Sequence, residues 1–287
     1  MKRTFLILSA ICLGSVHATT YPLTLKDDVG RLVTLKAEPK RIVSMLPSDT
    51  EILCAIGVCD RVVGVDDYSN FPKEVLQKSK VGNLFEPNIE AIMALKPDLV
   101  VVSKYGKLME PLERLGLTVV ALHPEQYGEV FQKTTLLGKM VNRESEAKQL
   151  NLGIQSKIKL LELKVRGLPK PTVYFEIDPT PYTVGPNSFM GVILGKAGAS
   201  NIVPENLGDF PQISVEWVFQ KDPQVILGMS LQEAKKRSGW DKISAVKQAK
   251  VFEIPAALND MLVRPGPRMA EGLEGLIAIL HPRQVRP

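Results

Sequence analysis

The sequence has few cysteines, few histidines and little net charge. Three cysteines among 287 residues exclude a small scaffold held together by many disulfides. Three histidines, one of them at position 17, are too few for a zinc or manganese site built from several imidazoles. The net charge of +5 is spread along the chain and excludes the concentrated basic face of a nucleic-acid-binding protein. Two loose basic runs, from Lys157 to Lys170 and from Lys235 to Arg237, indicate solvated surfaces.

Motifs of common enzymes are also missing. No GxGxxG follows a strand, and no GxxxxGK[ST] loop is present to bind phosphates. No GxSxG nucleophile elbow occurs. An exported hydrolase whose triad assembles only in three dimensions stays an alternative, but no nucleophile motif supports it. These absences favour a binding protein over an enzyme. We expect the protein to have no catalytic residue, metal ligand or cofactor of its own.

The N-terminal residues have the three parts of a secretory signal peptide. Lys2 and Arg3 precede an apolar run over residues 5–14, and small or tolerated residues follow up to Ala18. The run is too short to span a bilayer comfortably. The residue before Cys12 is not small, so a lipoprotein cleavage site matches weakly. We expect residues 1–18 to be removed after Ala18 and the protein to be periplasmic.

Two cysteines, Cys54 and Cys59, remain after this cleavage. In an oxidising compartment they either form a disulfide around a helix end or stay separate as a core thiol and a loop thiol. The sequence leaves both possibilities open, because a disulfide requires a particular Cα separation.

Short apolar runs alternate with helical patterns, which predicts parallel βα units. Ser48 to Glu51 supply capping residues for a helix that begins before Ile52. A second helix over residues 88–95 is ended by Pro97. The expected strands cover residues 41–44, 61–65, 99–102, 117–122, 172–177, 225–227 and 251–254.

A helical segment separates two such α/β regions. Apolar residues recur at spacings of four, four, three and four, which defines one face of a helix: Leu150, Ile154, Ile158, Leu161 and Val165. An earlier helix breaks near Asn142, and Pro169 closes the segment. We therefore predict an N-terminal lobe over residues 19–130, a linking segment over 131–168 and a C-terminal lobe over 169–287. The predicted fold has two Rossmann-like α/β lobes joined by a long rigid helix, with a ligand cleft between them.

Two glutamates occupy matching positions in the two halves. Glu90 and Glu216 each begin a helix seven residues before a proline that ends it. A carboxylate in the first turn favours the helix dipole by about 0.3–1 kcal/mol. Two exposed acids could instead dock a basic partner. Position alone favours the helix-dipole interpretation.

Aromatic residues make up only 6% of the chain, yet they gather in loops that follow the predicted strands. Ligands of open α/β sheets bind beyond the carboxyl ends of the strands. Rings on facing loops would form a flat-walled cleft for a large planar ligand, although each ring could instead pack under its own loop. Arg264 and Arg268 are expected to form structural ion pairs rather than to contact ligand. The candidate ligand-binding residues are Tyr68, Phe71, Leu84, Phe85, Tyr182, Phe210 and Asp260.

Several short stretches of the sequence are familiar: residues 41–44, 47–51, 62–65, 68–72, 88–90 and 94–100. Together they resemble a known family, the cobalamin and iron-chelate periplasmic binding proteins of ABC importers. The likeness covers nearly the whole chain after residue 18. It is closest to the cobalamin-binding branch through residues 181–185 and 210–216.

The resemblance implies a ligand held between two lobes and one glutamate per lobe that engages arginines of the membrane permease. The two glutamates that match this docking role are Glu90 and Glu216. The resemblance therefore favours docking over the helix-dipole interpretation that position alone favours. In cobalamin binders aromatic residues frame the corrin. The positions that match such residues are Tyr68, Phe71, Tyr182 and Phe210, while Leu84 stands where a tryptophan is common and Asp260 lies in a polar contact loop.

The function implied is capture of cobalamin and its delivery to an ABC importer, with ATP hydrolysed by a separate subunit. The protein is expected to act as a monomer and to have no nucleic-acid partner. The alternative within the same fold is a haem or ferric-siderophore binder, in which Tyr68 or Tyr182 would be an axial haem ligand.

Overall fold

Two β-sheets, one in each half of the chain, organise the fold. The coordinates are a computed structural model that describes residues 18–283. The expected signal peptide therefore lies outside the described residues except for Ala18. Each sheet is built mainly of parallel strands with helices on its faces, as the alternating pattern predicts.

The N-terminal lobe contains a parallel five-stranded sheet in the order β5-β4-β3-β6-β7, with a two-stranded antiparallel hairpin beside it. All four residues of its strand over 99–102 are buried, as is typical of a strand covered on both faces. Its elements are β1 (Leu23–Lys26), β2 (Leu32–Leu35), β3 (Ile42–Ser44), α1 (Pro47–Ala55), β4 (Val62–Val65), β5 (Ser79–Lys80), α2 (Ile89–Ala94), β6 (Leu99–Val102), α3 (Met109–Arg114) and β7 (Val119–Ala121).

Two helices link the lobes: α4 (Glu129–Met140) and α5 (Glu144–Val165). The break between them falls at Asn142, which has a positive φ of 56°. Ala147 of α5 packs in the N-terminal core, and Leu150 of the predicted apolar face packs against both cores. The other four residues of that face pack in the C-terminal core. One continuous helix is therefore anchored in both lobes. Among residues 18–283, neither this helix nor any other is long and apolar enough to cross a membrane.

The C-terminal lobe contains the parallel order β10-β8-β11-β12, with β9 antiparallel to β8. Its elements are β8 (Thr172–Asp178), β9 (Tyr182–Thr183), α6 (Phe189–Lys196), β10 (Ser200–Asn201), α7 (Val215–Lys221), β11 (Val225–Leu227), α8 (Leu231–Lys236), α9 (Ser244–Lys247), β12 (Val251–Phe252), α10 (Ala256–Val263) and α11 (Met269–Leu280).

The two sheets repeat one another. The order β4-β3-β6-β7 in the first matches β10-β8-β11-β12 in the second, so α1 corresponds to α6 and α2 to α7. Gly57 and Gly198 end the equivalent helices α1 and α6, with positive φ values of 82° and 76°. A side chain would be strained in this left-handed conformation, which explains why glycine follows each helix.

Three local expectations are wrong. Ser48 to Glu51 do not cap α1, because Pro47 already occupies its first turn and the four polar residues are buried inside the helix. The strand expected over residues 251–254 ends at Phe252, since Pro255 precedes a new helix. That helix, α10, carries Asp260, which the resemblance had put in a loop.

Cys54 and Cys59 form a disulfide, with their Cα atoms 4.1 Å apart. The bond connects the last turn of α1 to a short 3₁₀ turn over Cys59–Arg61. Of the two possibilities that the sequence leaves open, the structure adopts the disulfide.

Candidate functional site

The loop after β4 presents two aromatic rings from the N-terminal lobe. Tyr68 is 65% exposed and Phe71 is also exposed. The loop is held from below by Asp66, whose carboxylate accepts hydrogen bonds from the Tyr68 amide at 3.1 Å and from the Ser69 hydroxyl. Burial raises the pKa of the Asp66 carboxyl. Lys80 donates to the Ser69 carbonyl at 2.6 Å. These hydrogen bonds fix the backbone of the loop that carries the two rings.

A tight hairpin over residues 82–87 adds two further candidate residues to this lobe. Gly82 pairs with Pro87 and has a positive φ of 84°, and a Cβ there would lie 2.2 Å from the Glu86 carbonyl oxygen. Only glycine fits this turn. Leu84 is partly buried beside Gly106, whereas Phe85 at the tip is 87% exposed. The two residues therefore face different surroundings, with Phe85 directed into solvent.

The C-terminal lobe presents Tyr182 and Phe210 together. Residues 181–185 and 209–213 run side by side, with the Thr183 amide donating to the Pro211 carbonyl at 3.0 Å. A Cβ on Gly185 would lie 1.9 Å from the Gly208 carbonyl oxygen, so glycine permits this close approach. Both rings are exposed at the same edge of the lobe.

The two lobes meet where their strands end. Asn70 of the N-terminal lobe donates to the Asp260 carboxylate of the C-terminal lobe at 2.9 Å. Arg264 donates to the Tyr68 carbonyl at 3.2 Å. The Arg268 guanidinium lies 4.2 Å from the centre of the Phe71 ring, a cation–π contact. The loop that carries the N-terminal rings is thus in direct contact with α10 and the segment after it.

A buried glutamate holds the two arginines between the lobes. Glu51 of α1 accepts hydrogen bonds from Arg264 at 3.0 Å and from Arg268 Nε at 2.8 Å. Its side chain is only 1% exposed. Arg264 also pairs with Asp260 at 2.9 Å. The arginines form structural ion pairs, as the sequence predicts, and their charges are matched by these two carboxylates.

A cavity of about 580 Å³ opens at the carboxyl ends of the C-terminal strands. It is lined by apolar residues such as Ile177 and Val263, together with Asn259 and Glu253. Glu176 in its wall is committed to Arg237, which donates to both carboxylate oxygens at 2.5 and 2.6 Å. The cavity therefore combines apolar side chains with acidic and amide groups beside the meeting point of the lobes.

Glu90 and Glu216 are both exposed in the first turns of α2 and α7. Asn88 caps the first helix by accepting from the Ala91 amide, and Ser214 caps the second by accepting from the Trp217 amide. Neither glutamate is paired with a cation in the described part of the chain. The two acids occupy equivalent positions in the repeated topology.

Sequence reasoning missed Glu51 as the partner of both arginines. The sequence pattern predicts that residues 48–51 cap the helix, although Pro47 is typical of the first helical position and places them within the helix itself. The pairing itself joins residues more than 200 positions apart, and no local pattern predicts it. Within residues 18–283 no group of three or more histidine, cysteine or acidic side chains is arranged to hold a metal ion.

Two α/β lobes that share a linking helix and carry exposed rings on the loops at their strand ends have the architecture of a two-lobed ligand-binding protein. The chain belongs to the periplasmic binding protein family, which matches residues 42–258. The members of this family bind substrates and are not enzymes. The protein is accordingly a solute-binding protein of an ABC transporter.

Two relatives illustrate this membership. An uncharacterized ABC transporter substrate-binding lipoprotein, YvrC of Bacillus subtilis, is 34% identical over 276 residues, covering 91% of this chain and 86% of the relative. A vitamin B12-binding protein of Vibrio vulnificus is 28% identical over 254 residues, covering 84% and 90%.

Solved structures share the fold. A possible iron-binding periplasmic protein of Staphylococcus epidermidis superposes with a TM-score of 0.76 at 28% identity, over 85% of this chain and all of that one. The vitamin B12-binding protein BtuF of Vibrio cholerae gives 0.71 at 25% identity, over 86% and 99%. The haem-binding protein RhuT of Roseiflexus gives 0.74 over 85% and 99%, and at 22% identity this likeness shows the fold alone.

Proposed function

We propose that this protein captures a cobalamin-type corrinoid between its lobes and delivers it to the permease of an ABC importer. The observation that carries the proposal is the charge balance where the lobes meet. Arg264 and Arg268 are matched by Glu51 and Asp260, so the arginines there carry no unmatched positive charge.

This balance favours a ligand whose edge carries neutral hydrogen-bonding groups. The corrin periphery bears amides, which both donate and accept hydrogen bonds. The haem periphery bears two propionate carboxylates, and a buried carboxylate needs a cation that is available to pair with it. Asp260 and Asn70 at the lobe junction are likewise hydrogen-bonded to each other and to Arg264, so this part of the junction presents no unmatched charge to a ligand.

The aromatic rims suit the flat body of such a ligand. Tyr68 and Phe71 on one lobe and Tyr182 and Phe210 on the other are exposed side chains on loops at the strand ends. Rings that close on a planar macrocycle bury large apolar areas. The similarity to a vitamin B12-binding relative over most of both chains supports the same ligand class.

A parallel titration with cyanocobalamin, haemin and a ferric siderophore, followed by absorbance, tests this choice. We expect saturable one-to-one binding of cyanocobalamin and much weaker binding of the other two. Tight haemin or siderophore binding without cobalamin binding would overturn the proposal and leave only the family assignment.

Glu90 and Glu216 are proposed as the two points at which the permease docks. Exposed carboxylates on equivalent helices can set register and association rate with a basic surface. The double variant Glu90→Ala/Glu216→Ala should keep its ligand affinity but lose most uptake in cells that depend on this protein. Glu74→Ala/Glu205→Ala, which removes one exposed acid per lobe elsewhere, is the matched control. Undiminished uptake by the first variant would reject the docking role.

We also propose that the protein is exported and that its signal peptide is cleaved after Ala18. Mass spectrometry of the protein from the periplasmic fraction should give Thr19 as its first residue. A lipid-modified Cys12 at the N-terminus would contradict this cleavage site without affecting the ligand or docking proposals.

A further inference from the structure

The outer side of the C-terminal half of α5 carries an exposed apolar and basic surface. Leu160 and Leu163 are 63% and 45% exposed. With about 3.6 residues per turn, both leucines fall between Lys159 and Lys164 around the helix. Arg166 and Lys170 continue the surface just beyond the helix end, and both are exposed. We call these six residues the basic-leucine face.

The four cations of this face are not used inside the protein. Within the described residues none of them forms an ion pair, whereas neighbouring Lys157 pairs with Glu271 and Glu274. The nearby acid, Glu162, is paired with Lys196 at 2.7 Å. The face thus has four available positive charges and no available negative one, so it is complementary in charge to an anionic partner.

The leucines of this face are not part of the fold's own packing. The opposite side of α5 supplies Ile158, Leu161 and Val165 to the C-terminal core. Leu160 and Leu163 therefore form a second apolar strip, directed away from that core. Beside it lies a groove of about 640 Å³ whose wall includes Tyr127, Phe131 and Leu163.

A helix with leucines flanked by lysines and arginines is the pattern of surfaces that lie on anionic bilayers. The cations meet the phospholipid headgroups, and the leucines enter the boundary between headgroups and acyl chains. An acidic protein would satisfy the charges but would leave the outward leucine strip without an apolar counterpart unless it brought one.

We propose that the basic-leucine face binds the surface of an anionic phospholipid membrane. This contact would keep the protein near the bilayer that contains its transporter and confine its search to two dimensions. It does not involve Glu90 or Glu216 and is independent of which ligand the cleft takes.

The test is flotation of the processed, exported protein with vesicles of phosphatidylglycerol and phosphatidylcholine. We expect binding to anionic vesicles that weakens as salt is added, and little binding to pure phosphatidylcholine. Lys159→Gln/Lys170→Gln should lower the partition coefficient roughly tenfold to thirtyfold at low salt.

Lys235→Gln/Lys236→Gln is the matched control, because it removes the same charge from an exposed cluster on α8. It should change binding less than threefold.

Leu160→Ser/Leu163→Ser should weaken binding to the anionic vesicles and make the binding that remains more sensitive to salt. Leu115→Ser, at another exposed leucine, should do neither. Absent binding to anionic vesicles, equal binding to neutral ones, or equal losses in test and control variants would each overturn the proposal.

Discussion

The equivalent helices α1 and α6 follow the central strands of their sheets but differ in what they bury. The residues that α6 buries are all apolar or glycine, such as Ile193. α1 buries Ile52 and Leu53 in the core of its own lobe, but it also buries polar residues, among them Asp49 and Glu51. The same topological position is therefore filled by hydrophobic packing alone in one lobe and by hydrophobic packing together with buried charge in the other.

The difference in buried residues reflects the different packing and ion-pair partners of the two helices. α6 packs into the core of its own lobe. Asp49 of α1 pairs with Lys133 of the linking helix α4 at 2.6 Å, and Glu51 pairs with two arginines of the other lobe. A buried ion pair contributes little net stability, but removing one of its partners leaves an uncompensated buried charge, which is costly. Charge in α1 thus specifies how the N-terminal lobe is joined to the rest of the molecule.

The largest expected effect comes from breaking the Asp49–Lys133 pair. Both side chains are almost fully buried, at 0% and 3% exposure. Lys133→Met leaves an uncompensated carboxylate and should lower the free energy of unfolding by about 3–5 kcal/mol, measured by urea denaturation at pH 7. The double variant Asp49→Leu/Lys133→Met should recover most of the loss. A single-variant loss below about 1 kcal/mol would contradict the role given to this pair.

The same variant predicts a pH dependence. Burial raises the pKa of Asp49, and the Lys133 charge opposes that rise, so removing Lys133 raises the pKa further. The folded chain then takes up a proton at a higher pH than the unfolded chain does. Its stability relative to the parent protein should therefore recover as the pH falls from 7 towards 5. Ile193→Val in α6, which removes one buried methylene, is the control and should cost about 1 kcal/mol at both pH values.

Glu51→Gln should have the next largest effect, a loss of about 2–4 kcal/mol in the free energy of unfolding. The change removes the carboxylate that accepts from Arg264 and Arg268, and both arginines are mostly buried. Glu86→Gln, at an exposed glutamate, should change it by less than about 0.5 kcal/mol. Equal free energies of unfolding for the two variants would mean that the ion pairs of Glu51 do not hold the lobes together.

The smallest effects concern the helix caps, for which the two lobes should behave alike. Asn88→Ala and Ser214→Ala each remove one side-chain acceptor from the first turn of α2 or α7. Each should cost about 1 kcal/mol in urea denaturation. A cost confined to one lobe would show that the equivalence of these helices does not extend to their energetics.

Local signals predict the repeated topology but not the contacts between lobes. Asn88, Ser214 and the prolines after each helix act on their neighbours, so the start and end of α2 and α7 could be predicted from them. Pro255 is an equally local signal, because it precedes helix α10 and so indicates that strand β12 ends before residue 254. The pairing of Glu51 with Arg264 and Arg268 depends on how two distant segments pack, and only the folded structure brings them together. The exposure of Phe85 beside the partly buried Leu84 likewise depends on the hairpin that holds them.

The most direct test of the cleft is a calorimetric titration with cyanocobalamin of variants that each remove one ring from one rim. Tyr68→Ala in the N-terminal lobe and Phe210→Ala in the C-terminal lobe should each weaken one-to-one binding by tenfold or more. Phe219→Ala, at an exposed ring on α7 outside the cleft, should leave the affinity unchanged. An undiminished affinity in either rim variant would mean that the ligand is not held between the two lobes.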